Sequence, residues 1–180
     1  MTIFISGGNK NGKSGYAQDA AVKLAGGGKL YYVATMIPYD DEDRTRIERH
    51  IENRAGMGFE TLEAGRDIQK VFDSADESGT FLVDSTTALL LNEMFPNSHS
   101  EKADENAAHR CISGLLEIAR RAKNAVFVSD YIYSDAARYD EFTEEYRRSL
   151  ASIDRALAQA CDTVIEVCAG NLIVHKGQLP

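Results

Sequence analysis

The chain has 180 residues, 43% hydrophobic and 27% charged, the balance of a globular domain rather than of a disordered or collagenous chain. Its 20 Lys and Arg stand against 28 Asp and Glu, a formal net charge of −8. Such a surface repels phosphate backbones and anionic lipid, which argues against nucleic acid and membranes as partners, and no apolar run approaches the ~18 residues that would span a bilayer.

The run Thr2–Ser6 (TIFIS), rich in β-branched residues and closed by Gly7-Gly8, is expected to be a buried strand. The opening MTIFISGGNKNGKS lacks the basic-then-apolar plan of a secretory leader, so a cytoplasmic location is expected. SGYAQDAAVKLA follows with Ala17, Ala20, Ala21 and Leu24 on one helical face, and Gly26-Gly27-Gly28 is its stop. Leu30–Ala34 is a second predicted strand. From Tyr39 to Arg54 only Ile47 and Ile51 are strongly apolar. A helix polar nearly all round cannot lie in a core; it is either a solvated surface helix or one that stands over a cleft or against another subunit.

Phe81–Asp84, Ala125–Ser129 and Thr163–Cys168 are further predicted strands, and Gly170-Asn171 turns the last of them into an antiparallel hairpin with Leu172–His175. Amphipathic helices are expected over Asn106–Lys123 and Glu141–Ala160. Pro96–Asp104 is the candidate for a mobile loop. Strand and helix alternate at crossover spacing, so residues 1–180 are expected to form one α/β domain. Its sheet is mostly parallel and covered on both faces. Cys111, Cys161 and Cys168 form no CxxC pair, and His50, His99, His109 and His175 form no HxxxH pair, so neither a structural zinc site nor a disulfide framework is expected.

Gly7-Gly8-Asn9-Lys10-Asn11-Gly12-Lys13-Ser14 matches the phosphate-loop pattern G-x-x-x-x-G-K-S/T between a predicted strand and a predicted helix. Glycines let successive N–H groups curl around a phosphate. Lys13 supplies charge to the β and γ phosphates, and Ser14 offers its hydroxyl to Mg²⁺ at the helix N-terminus. Such a loop needs a strand-terminal carboxylate to hold the metal directly or through water. Asp84, followed by Ser85 and Thr87, is the first candidate and Asp130 its competitor; a strand-terminal Asp can equally be the N-cap of the next helix.

The loop alone leaves the reaction open. GGNKNGKS, YYVAT, DDEDRTRIERHIENR and FLVDSTTALLLN, followed by EEYRRSLASIDRALAQACDTVIEVCAG, together resemble the bifunctional adenosylcobinamide kinase/adenosylcobinamide-phosphate guanylyltransferase family of cobalamin biosynthesis. The signature R-I-x-x-H-x-x-x-R is present as Arg46, Ile47, His50 and Arg54. The resemblance implies a RecA-like P-loop fold, a homotrimer and two reactions. In the first, ATP or GTP phosphorylates the corrinoid hydroxyl. In the second, a histidine takes GMP from GTP and passes it to adenosylcobinamide phosphate.

The resemblance places the GMP-bearing histidine at His50, with Arg46, Arg49 and Arg54 as its cationic neighbours. It places nucleotide contacts at Ala34, Thr35 and Met36, at Ile51, Glu52, Asn53 and Arg54, and at Glu63, where Phe59 and Thr61 stand for the family's W-x-T. A carboxylate at Glu63 suits the donor pair of a guanine edge, although an exposed glutamate there is equally ordinary. After the fourth strand the family's S-N-E-V-G-x-G-I-V-P is replaced by Ser129-Asp130-Tyr131-Ile132-Tyr133-Ser134-Asp135-Ala136. The closing Asn of its F-R-D-x-x-G-x-x-N is here Asp154. A relative with one activity lost or another acceptor, and a non-catalytic nucleotide switch, are the alternative readings.

Overall fold

The structure is a computed structural model that describes residues 1–96, 103–133 and 136–180. Most of the loop expected over Pro96–Asp104, with His99, lies outside the described residues, as do Ser134 and Asp135. In chain order the elements are β1 (Thr2–Gly7), α1 (Lys13–Ala25), β2 (Leu30–Ala34), α2 (Asp41–Asn53) and β3 (Glu60–Glu63). A 3₁₀ turn (Ile68–Asp73), β4 (Thr80–Asp84), α3 (Thr86–Met94), α4 (Ala107–Arg121) and β5 (Asn124–Asp130) follow. The chain closes with α5 (Glu141–Ala160), β6 (Thr163–Cys168) and β7 (Asn171–Lys176).

The strands form one sheet in the order β3-β2-β4-β5-β1-β6-β7, parallel throughout except for β7, which runs antiparallel to β6. The expected strands and hairpin are all present, within about a residue at their ends. β3 and α3 were not expected. β3 (ETLE) carries only one apolar side chain on an exposed edge, so it lacks the apolar run that marks the inner strands. α3 begins where Ser85 caps it by accepting the Ala88 N–H (3.4 Å).

The inner strands read as apolar runs because both of their faces are covered. Phe4, Phe81, Val83 and Phe127 pack with Leu89, Leu115, Ile118, Leu150 and Ile153 of α3, α4 and α5. On the other face Ile3, Ile5, Leu82, Val126 and Val128 meet Ala17, Ala20 and Ala21 of α1. Alanines let α1 lie close to the sheet, which seats its N-terminus directly over the end of β1. Gly26 ends α1 in a left-handed conformation (φ 55°), as the glycine run predicts. Lys176 of β7 donates to the carbonyls of Gln159 (3.0 Å) and Cys161 (2.6 Å), covering the C-terminal end of α5.

Register brings the site together. Gly7 lies opposite Asp130, and Ala34 lies opposite both Asp84 and Glu63. All five residues therefore end their strands along the carboxyl edge of the sheet, where parallel α/β folds place ligands.

Candidate functional site

The chain between β1 and α1 wraps the end of the central strand. Lys10 (φ 57°) and Gly12 (φ 93°) both adopt left-handed conformations, the kind of backbone from which anion-binding concavities of N–H groups are built. Where α2, α3 and α5 are capped by the side chains of Asp40, Ser85 and Asp140, the N-cap of α1 is Gly12, and no acidic residue stands in its first turn. The N–H groups of that turn are thus left for an anion. Gly7 has to be glycine for another reason. A Cβ there would lie 2.5 Å from the Val167 carbonyl oxygen and 2.6 Å from Asn11 Nδ2. Asn11 itself donates to that same carbonyl, tying the loop to β6.

Lys13 is almost fully buried. Its ammonium donates to the Gly8 carbonyl (2.9 Å) and is ion-paired with Asp130. Asp84, one strand further from the loop, accepts from the Tyr32 hydroxyl at Oδ2 (3.1 Å). Burial pushes the Asp84 carboxyl above its ordinary value. His50, the hydroxyls of Tyr32 and Ser14 oppose that shift, and Asp130 adds to it. The two candidate carboxylates thus divide the work: Asp130 holds the lysine, and Asp84 stands with Ser14 and His50.

α2 behaves as its composition predicts. It has no buried side chain, it opens with Asp40 accepting the Asp43 N–H (2.8 Å), and it ends at Arg54. Arg54 is buried. Its guanidinium sits 4.1 Å over the Tyr32 ring and donates from Nη2 to Thr61 Oγ1 (3.0 Å).

Between α2 and the phosphate loop lies a cleft of about 860 Å³. Of the residues singled out in the sequence, Asn9, Lys10, Asn11, Gly12, Lys13 and Ser14 line it from the loop. Arg46, Ile47, His50, Ile51 and Arg54 line it from α2, and Ala34, Met36, Glu63, Asp84 and Asp130 from the sheet edge. The helical period explains the selection, since His50 shares its face with Arg46 four residues back and Arg54 four ahead. Glu52, Asn53 and Arg49 are not among the residues that line the cleft, nor are Gly7 and Gly8, the first two residues of the loop. Thr35 is fully buried and turned inward. Its hydroxyl donates to the Ser85 carbonyl and accepts from the Ser85 N–H, both at 2.8 Å.

Tyr32, Arg44 and Ile37 also line the cleft and were not foreseen there. Tyr32 carried a signal, because strand alternation puts it on the face of Ala34. Asn92 of α3 positions the rim: its Nδ2 donates to the carbonyls of Thr35 (2.7 Å) and Gly65 (3.0 Å), stapling the loops that leave β2 and β3.

The donor set fits Mg²⁺. Ser14 and Asp84 offer hard oxygens side by side, and phosphate oxygens and water complete such a sphere. Among the described residues no cluster of three His, Cys, Asp or Glu could hold a metal without such help.

Behind the phosphate loop the segment after β5 is tied down twice. The Tyr131 N–H donates to the Gly7 carbonyl (3.2 Å) and its hydroxyl to Glu166 (3.1 Å), which also meets His175 (2.9 Å). The Tyr133 hydroxyl (2.8 Å) and that of Ser129 (2.9 Å) both donate to Asp154 Oδ2. Burial pushes the Asp154 carboxyl up to about 6.

A family profile described as cobinamide kinase / cobinamide phosphate guanyltransferase matches residues 3–174. No curated protein matches the chain. Among solved structures it is similar to an ATPase domain, at 10% identity over 98% of this chain and 76% of that one, with a TM-score of 0.55. It is also similar to a KaiC-like protein of Pyrococcus horikoshii OT3, at 13% identity over 98% and 79% of the two chains, with a TM-score of 0.54. At these identities the likeness is one of fold, that of the P-loop NTPases. Among the described residues no helix is long and apolar enough to cross a membrane.

Proposed function

The chain belongs to the cobinamide kinase / cobinamide phosphate guanyltransferase family, and on that premise we propose that it catalyses two successive transfers onto adenosylcobinamide in one cleft. In the kinase step the corrinoid hydroxyl oxygen attacks the γ-phosphorus of ATP or GTP. The bond to the β-phosphate oxygen breaks, the nucleoside diphosphate leaves and the hydroxyl releases its proton to solvent. In the guanylyl step a neutral ring nitrogen of His50 attacks the α-phosphorus of GTP and pyrophosphate leaves. The phosphate oxygen of adenosylcobinamide phosphate then attacks the same phosphorus, the P–N bond breaks, and His50 is regenerated with adenosylcobinamide-GDP as product.

Each residue has a role that its setting supports. The first-turn N–H groups of α1 and the Lys13 ammonium hold the phosphates. Arg46 and Arg54 flank His50 and draw the triphosphate toward it, and Ala34, Met36 and Glu63 line the rim for the nucleoside. Ser14 and Asp84 would hold Mg²⁺, which when bound neutralises charge on the transferring phosphate. A homotrimer is part of the proposal, carried by the family alone.

The observation that supports the reading most is the convergence of His50, from a helix with no buried side chain, on the cleft that also holds Lys13, Ser14 and Asp84. The test is incubation of the purified protein with Mg²⁺, GTP and adenosylcobinamide, with the corrinoid products separated and weighed. The proposal expects the phosphate and then the GDP derivative. Neither product, with the nucleotide bound, would overturn it. The phosphate alone would select the one-activity reading, which the replaced loop at Tyr131 and Tyr133 favours.

A further inference from the structure

We propose that Tyr32 is a positioning residue that sets the Asp84 carboxylate for the nucleotide-bound cation and links that setting to Arg54 at the end of α2. The inference rests on the functional reading above, which places a cation at Asp84.

Three contacts meet on this one side chain, which is only 4% exposed. The hydroxyl donates to Asp84 Oδ2 at 3.1 Å. The ring face carries the Arg54 guanidinium at 4.1 Å. Phe59 stands edge-on to the same ring, with centroids 6.0 Å apart and planes at 85°. A phenylalanine would fill this volume and keep the last two contacts, so packing alone does not call for the hydroxyl. A buried tyrosine hydroxyl needs a hydrogen-bond partner, and here the partner is the carboxylate beside Ser14.

The consequence for Asp84 is orientational. Its carboxylate closes β4 without the ammonium of Lys13, which Asp130 of β5 engages, so the hydroxyls of Tyr32 and Ser14 are the side-chain donors turned toward it. Tyr32 fixes the carboxylate through one oxygen, so the group meets a cation without first having to be ordered. The consequence for α2 is an anchor. Within Asp41–Asn53 the helix has no buried side chain, and Arg54, buried at its C-cap, grips Thr61 and the Tyr32 ring. The helix that carries His50 is therefore fastened to the side chain that holds the cation carboxylate.

The experiment compares wild type with Tyr32→Phe and Tyr32→Leu. GTP affinity is measured in EDTA by calorimetry, and Mn²⁺ affinity of the GTP complex by the loss of the free-ion electron paramagnetic resonance signal. Tyr32→Phe is expected to keep the wild-type melting temperature and GTP affinity in EDTA, while half-saturating Mn²⁺ rises about tenfold, the effect of losing one hydrogen bond to a charged group. Tyr32→Leu is expected to weaken GTP binding in EDTA as well, since Arg54 loses its platform. Unchanged or tighter Mn²⁺ binding in Tyr32→Phe would overturn the proposal. If the wild type itself bound GTP without any response to Mn²⁺, the cation role of Asp84, and with it the functional reading, would fall first.

Discussion

The Lys13 ammonium is ion-paired with the Asp130 carboxylate, with side chains 6% and 26% exposed, at the point where a triphosphate must meet the lysine. The register of β1 against β5, which sets Gly7 opposite Asp130, builds this pair into the sheet. A phosphate therefore competes with Asp130 for the charge, and also feels its repulsion.

Asp130→Asn removes both effects. It is expected to tighten GTP binding in EDTA by about three- to tenfold, on the scale of one partly buried charge contact. Calorimetry beside wild type checks it. Weaker binding would mean that Asp130 serves chiefly to aim the lysine.

Gly7→Ala tests the packing beneath the loop. The added methyl would meet the Val167 carbonyl oxygen at 2.5 Å, between two strands that cannot move apart without breaking their pairing. Overpacking of this kind costs about 1–3 kcal/mol, so a lowered melting temperature and weakened GTP binding are expected together. A variant that kept both would show that β6 yields at this point.

Asp154 makes the stability depend on pH. Its carboxyl is pushed up from 3.8 to about 6 chiefly by burial, with Asp130 adding to the shift and the Ser129 and Tyr133 hydroxyls opposing it. Because the folded value lies above the unfolded one, the folded state keeps the proton longer. The burden is absent below about pH 4, grows as pH rises through about 6, and is fully present at neutral pH, at about 2–3 kcal/mol.

Asp154→Asn removes that charge and keeps an oxygen to accept a hydroxyl. It is expected to melt higher than wild type at pH 8, with the difference closing toward pH 4. Thermal melts across that range check the sign, and a difference that widened toward acid would contradict it.

The central sheet was legible because its inner strands are covered on both faces and so are written as unbroken apolar runs. β3 and α3 were not, the first because an exposed four-residue edge needs no apolar pattern, the second because its apolar stretch follows directly on a strand. In the site the phosphate loop could be read from spacing alone, since glycine, lysine and serine each have a fixed mechanical role. His50 was a surface histidine until the family resemblance singled it out, because a polar helix shows no face to the eye. The Lys13–Asp130 and Tyr32–Asp84 pairs were out of reach. They join residues 117 and 52 positions apart, and only the strand order, with β5 lying between β1 and β4, decides which carboxylate meets which partner.

The most direct test of the two-step account is intact-protein mass spectrometry after incubation with GTP and Mg²⁺, wild type beside His50→Asn. The account predicts an acid-labile GMP adduct on the wild type and none on the variant, which should still phosphorylate adenosylcobinamide. An adduct that persisted in His50→Asn, or a wild type that bound GTP and stayed unmodified, would contradict it.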